Sequence, residues 1–154
     1  MVALLTAVAA RAVHAGEISI GLYTRETTKS PAEVVEDLEF AITERNFRVT
    51  GVLHVGRGIR ERGADAFPDY DVILFCSLSL ARKMLEQDPG YINFCPGRIT
   101  VRGGDQTVIS APLLPASPAN PLLTHLVEDI NVQIRQIVDY GTEPWSPPAA
   151  GYKE

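Results

Sequence analysis

The run Ser30-Pro31-Ala32-Glu33 constrains this chain more than any other stretch. A serine hydroxyl there accepts from the backbone N–H three residues on, the glutamate reaches back to the serine N–H, and proline presets the first helical φ. Behind it Val34, Val35, Leu38, Ala41 and Ile42 recur at helical spacing, with Glu36, Asp37, Glu39, Glu44 and Arg45 opposite. The pattern predicts a helix over about residues 31–45 with one apolar face, and such a face needs a second layer to bury it. Both flanks offer one. Residues 17–24 place Ile18, Ile20 and Leu22 on one side at period two, and residues 47–55 alternate Phe47, Val49, Gly51, Leu53 and Val55 against Arg48, Thr50, Val52 and His54.

The later chain continues in the same style. Gly56 to Gly63 reads as a glycine-bounded helical turn and Ala66-Phe67-Pro68-Asp69 as a loop. Residues 70–76 (YDVILFC) form a nearly unbroken apolar run, which predicts a strand covered on both faces. A second helix is expected over about residues 78–87, stopped by Asp88-Pro89-Gly90. Residues 98–102 and 106–111 then flank Gly103-Gly104-Asp105 as a hairpin. The segment 112–121 holds four prolines and reads as a loop, after which Asn120 and Pro121 open a long helix with Leu122, Leu123, Leu126, Val127, Ile130, Ile134, Ile137 and Val138 as its stripe. Gly141 ends it, and residues 142–154 (TEPWSPPAAGYKE) read as an extended proline-rich tail. The expected architecture is one α+β domain over residues 17–141, in the order β-α-β-β-α-β-β-α. Its sheet is mixed or antiparallel, with the helices layered on one face.

Composition narrows the function classes. With 14 basic against 19 acidic residues the chain carries a net charge of −5, and it has no lysine or arginine block for nucleic acid or anionic lipid. No apolar run approaches the roughly 20 residues that cross a bilayer. Two cysteines and three histidines are too few for an iron–sulfur cluster or a typical structural zinc site. At the start, residues 2–10 (VALLTAVAA) and the small-residue site ending at Ala15 read as a signal peptide over residues 1–15, which implies a periplasmic or otherwise exported protein. The missing basic residue before the run and Arg11 behind it favour the alternative, a cytoplasmic N-terminal helix.

The middle of the chain carries a resemblance. Arg60-Glu61-Arg62-Gly63-Ala64-Asp65-Ala66-Phe67-Pro68 leads into residues 70–77 (YDVILFCS), then Leu80-Ala81-Arg82-Lys83-Met84-Leu85, Asp88-Pro89 and Pro96-Gly97-Arg98-Ile99-Thr100-Val101. This order and spacing resemble the domain of unknown function 302 family over roughly residues 21–112. The resemblance implies a small α+β fold and a homodimer, and brings no established activity. Two departures stand out. Where the family has Asn-Pro after the cysteine of the third strand, this chain has Ser77-Leu78. The family's second cysteine follows a proline just before the fourth strand, where this chain has Gly97, and Cys95 lies two residues earlier.

Cys76 and Cys95 are the first candidates for chemistry. In an oxidising compartment a disulfide between them closes a loop of some 18 residues; reduced and close, they suit a soft metal such as copper(I) or a redox cycle. The bland alternative is a buried core thiol at a strand end. His54 is read as able to meet Cys76 across the sheet, where histidine and cysteine would ligate copper, or histidine alone haem iron. His125 reads as a surface residue, and a hydrogen-bonded or exposed role suits His14 and His54 equally. Arg57, Arg60 and Arg62 among glycines suggest an anion contact, against the simpler reading of solvated arginines. Ser77 and Ser79 lack the surroundings of a nucleophile, so an enzyme has no visible catalytic set.

Trp145, Pro147 and Tyr152 of the tail are the expected partner-binding residues, because an aromatic anchor on a proline-stiffened segment can fill another chain's pocket; the equal alternative is that the tail folds back over its own domain. The sequence thus favours a non-catalytic binding or interaction module with no cofactor. The expected protein is an exported accessory subunit of a redox or membrane complex, or a holder of a small ligand. The alternative is a copper- or haem-linked redox protein using Cys76, His54 and Cys95.

Overall fold

The computed structural model describes residues 21–144. In chain order the elements are β1 (Leu22–Thr27), α1 (Pro31–Glu44), β2 (Arg48–His54), α2 (Val55–Arg60), β3 (Tyr70–Cys76), α3 (Leu78–Gln87), a 3₁₀ helix (Pro89–Phe94), β4 (Gly97–Arg102), β5 (Thr107–Pro112) and α4 (Pro121–Tyr140). The five strands form one antiparallel sheet in the order β1-β5-β4-β3-β2. β1 and β2 are consecutive strands at opposite edges, so α1 must carry the chain across the full sheet. The α+β class and the antiparallel option are as expected; the helical turn after β2 proves to be a short helix in its own right.

α1 begins as its cap dictates. Ser30 Oγ accepts from the Glu33 N–H at 3.3 Å, and Glu33 Oε2 accepts from the Ser30 N–H at 2.9 Å. The helix ends with Asn46 in the left-handed region at φ 58°, a conformation asparagine tolerates better than most residues just past a helix. Val34, Leu38, Ala41 and Ile42 of α1 and Leu123, Val127, Ile137 and Val138 of α4 cover the sheet face formed by Ile73, Ile99, Val101 and Ile109. Gly141 lets α4 end tightly against this core, since a Cβ there would stand 3.0 Å from Ile109 and Leu38 side-chain atoms.

β1 keeps period two but turns the other way from the expectation. Leu22 is 64% exposed, while Tyr23 packs on the core and its hydroxyl donates to Asp139 of α4 at 2.8 Å. Pairing with β5 sets which side faces the helices, and residues 17–20 lie outside the described residues. β3 buries Ile73 and Phe75 under the helices but leaves Tyr70, Val72 and Leu74 half-buried on the outer face, so that face is not covered as the apolar run suggested. β2 slips register between Val49 and Gly51, a bulge in an edge strand. At its end Gly56 runs so close to the next segment that a Cβ would collide with the Pro68 carbonyl oxygen and lie 2.7 Å from Tyr70 N.

A buried polar residue in the middle of α4 helps to fix the proline-rich loop. Asn131 is buried; its side chain accepts from Leu114 N–H at 2.8 Å and donates to Leu114 O at 2.9 Å.

Candidate functional site: the Cys76–Cys95 thiol pair

Cys76 ends β3 and Cys95 follows the 3₁₀ helix. The β3–β4 register explains why they meet. Phe75 pairs with Gly97, so one more step of an antiparallel ladder sets Pro96 opposite Cys76, and the chain turning in from the 3₁₀ helix brings Cys95 alongside. The Cys95–Pro96 peptide is cis. Gly97 has no room for a side chain, because a Cβ would lie 2.9 Å from the Phe75 ring.

The two sulfurs stand 2.9 Å apart as free, half-buried thiols. Around them Phe47, Phe75, Leu80, Met84, Phe94 and Ile134 line a gap of about 40 Å³, and the Phe47 and Phe75 rings meet edge to face with centroids 5.4 Å apart. No charged residue lines this gap. Burial among these side chains pushes the Cys76 thiol from its ordinary 9.0 to about 11, helped by its hydrogen bond with Cys95 and by repulsion from a Cys95 thiolate. At neutral pH Cys76 is therefore a thiol, with roughly one molecule in 10⁴ ionised. A thiol of this kind is a poor nucleophile. Its proximity to a second sulfur suits it to one covalent event, closure of a disulfide when an oxidant removes two electrons.

His54 does not join them. β2 and β3 pair Arg48 with Cys76 but His54 with Asp71, so His54 stands six residues along the ladder, about 20 Å at the usual strand rise. The expected Cys76–His54 set is thus corrected by the strand register, which no local pattern encodes. His54 Nδ1 instead lies 2.7 Å from Asp71 Oδ1, at the rim of a wet pocket of about 290 Å³ shared with Glu36, Arg57, Arg60 and Asp69. Among the described residues no group of three or more histidine, cysteine and acidic side chains could enclose a metal ion.

Of the three arginines, Arg57 and Arg60 line that pocket and Arg62 does not. Arg60 donates to Phe67 O at 2.7 Å and to Asp69 Oδ1 at 2.6 Å, binding the loop before β3, and Arg62 donates to Gly58 O at 2.6 Å. His125 is exposed, 3.7 Å from Glu128. Trp145, Pro147, Tyr152 and His14, with the segment 1–15, lie outside the described residues. Sequence reading missed Asp71 as the partner of His54, and it missed Asn131, whose signal was a lone amide inside an apolar helical stripe.

With this geometry in view, comparison with known proteins gives a family and a fold. The family described as "Domain of unknown function DUF302" matches residues 23–140. The chain belongs to that family. A solved structure titled "Crystal structure of uncharacterized conserved protein DUF302 from Bacillus stearothermophilus" is similar with a TM-score of 0.67 and 21% identity, over 77% of this chain and 96% of that one. At that identity the likeness shows the DUF302 fold. No curated protein matches the chain. In this DUF302 chain Cys95, two residues ahead of Gly97, reaches Cys76.

Proposed function

We propose that this DUF302 protein is a non-catalytic binding module, exported and homodimeric, whose compactness is set by the Cys76–Cys95 pair. The sulfur–sulfur approach of 2.9 Å carries this reading. Oxidation joins the two sulfurs, releases two protons and passes two electrons to a small disulfide such as oxidised glutathione, which leaves as two thiols. The bond ties β3 to the segment that enters β4, beside Phe75 and Phe94. The raised Cys76 pKa supports a structural pair over a turnover catalyst. The apolar start and Ala15 support export to a compartment where such a bond persists. Partners there would be a redox or membrane complex, with the module as an accessory subunit.

Intact mass and thiol alkylation of protein from its own host test the reading. The expected mature chain begins at Gly16, lacks two hydrogens and takes no alkylating reagent until reduced. Two freely alkylated thiols in native exported protein would overturn the structural disulfide.

A second reading keeps copper. The same gap is lined by Met84, so Cys76, Cys95 and a thioether offer the soft donors that copper(I) prefers. Native protein that carries about one copper per chain by elemental analysis, lost in a C76S variant, would favour it. For haem, His54 stands at the other end of the ladder from the thiols.

A further inference from the structure

The pocket of about 290 Å³ beside His54 is built by the start of α1, the short α2 and the β2–β3 pair. Ala32, Val35 and Glu36 share one face of α1 at helical spacing, and His54, Arg57 and Arg60 recur every third residue into and along α2. These parts are held in advance. Gly56 seats the start of α2 against Pro68 and Tyr70 where a Cβ has no room. Gly103 sits against Pro31 and Asp69, and its N–H donates to Asp69 O at 2.7 Å.

Most of the charge in the pocket is already engaged. Arg60 holds Asp69 and Phe67 O, and His54 Nδ1 meets the largely buried Asp71 carboxylate. An ionised carboxylate only accepts, so the proton of that bond lies on Nδ1 and Nε2 is left uncommitted. Two lining side chains, Arg57 and Glu36, have no hydrogen bond or ion pair among the described residues. They are opposite in sign and do not pair with each other. A lone anion drawn to Arg57 would meet the carboxylates of Glu36, Asp69 and Asp71, and a lone amine drawn to Glu36 would meet two guanidiniums. A ligand bearing one carboxylate and one ammonium satisfies both free charges and adds no excess of either. Pro31, Ala32 and Val35 give the remaining lining an aliphatic surface. The volume lies at the bottom of the range of about 300–1,000 Å³ for small-molecule sites, which suits a small metabolite better than a nucleotide.

We propose that this pocket binds a free aliphatic amino acid, its carboxylate on Arg57, its ammonium on Glu36 and its side chain against Pro31, Ala32 and Val35. The planar guanidinium takes a carboxylate by two parallel hydrogen bonds, and His54 Nε2 accepts a second ammonium N–H. The assignment rests on the binding-module reading but not on its thiol chemistry, which lies at the far end of the β2–β3 ladder.

Titration of the full chain with L-leucine, followed through the His54 ring resonances by NMR, is the test. Saturable binding at millimolar leucine is expected. Isocaproate lacks the amine and isoamylamine lacks the carboxylate; each is expected to bind about tenfold more weakly, the loss of one charge-assisted contact. Glycine, with no side chain to lay on Val35, is also expected to bind more weakly. Arg57→Gln and Glu36→Gln change exposed side chains, and both chains are expected to keep the wild-type circular dichroism. In R57Q leucine should bind no better than isoamylamine, and in E36Q no better than isocaproate. Leucine that leaves His54 unmoved, an analogue or glycine that binds as tightly as leucine, or variants that keep the wild-type affinity would each overturn the assignment. Alkylation mass on the same samples reports the thiol pair separately, so either idea can fail alone.

Discussion

The β2–β3 ladder ends in two different worlds. At one end Cys76 faces Cys95 among Phe47, Phe75, Leu80 and Met84, with no charge in the lining. At the other His54 faces Asp71 beside Arg57, Arg60 and Glu36, open to water. Along β2 six residues separate them, from Arg48 opposite Cys76 to His54 opposite Asp71. The apolar end disfavours ions, so its chemistry is a covalent bond between neutral sulfurs. The wet end keeps charges and lets water exchange around them. What divides the two is which helices reach that far: α3 and the 3₁₀ helix cover the thiol end, whereas the start of α1 and the short α2 border His54.

Breaking the apolar end should have the largest effect. Phe75→Ala removes a ring that packs on Phe47 and abuts Gly97, and a loss of about 3–5 kcal/mol in urea unfolding is expected. Closing the Cys76–Cys95 bond works in the other direction at the same end. A loop of this length gives about 3 kcal/mol by restricting the unfolded chain, read as the gap between oxidised and reduced unfolding midpoints and absent in C95S.

The wet end offers smaller handles. Gly56→Ala forces a methyl against the Pro68 carbonyl, and a loss of about 1–3 kcal/mol is expected from the backbone shift. His54→Ala should cost no more than about 1 kcal/mol and less in high salt, because its partner contact is half in water. Should His54→Ala prove as damaging as Phe75→Ala, the contrast between the ends is wrong.

The last effect is one of pH. The Cys76 pKa is higher in the folded protein than in the unfolded chain, so its contribution to stability is complete below the unfolded value near 9.0 and fades as pH rises through about 11. Reduced protein should therefore lose stability over that window, and C76S should lose less. Equal losses in both would place the alkaline sensitivity elsewhere.

The thiol end was half legible in the sequence. Cys76 sits at the close of an unmistakable apolar run, and Cys95 just before a strand, so a pairing was on view as one option. Its realisation depends on Phe75 opposing Gly97, a register set by the whole sheet. The same blindness to register sent His54 toward Cys76 when it belongs to Asp71. α1, by contrast, was legible to within a residue or two because Ser30, Pro31 and Glu33 act on their own backbone neighbours. β1 alternates polar and apolar residues on both sides, so its inward face was settled by β5 and α4, not by its own composition.

The slip between Val49 and Gly51 has a consequence for how these molecules behave in a crowd. A strand arriving from a neighbour needs an unbroken row of outward peptide groups to zip along, and β2 interrupts that row near its middle. Fibre-like stacking along this border is thereby discouraged, and concentrated solutions should stay clear of cross-β growth from that side.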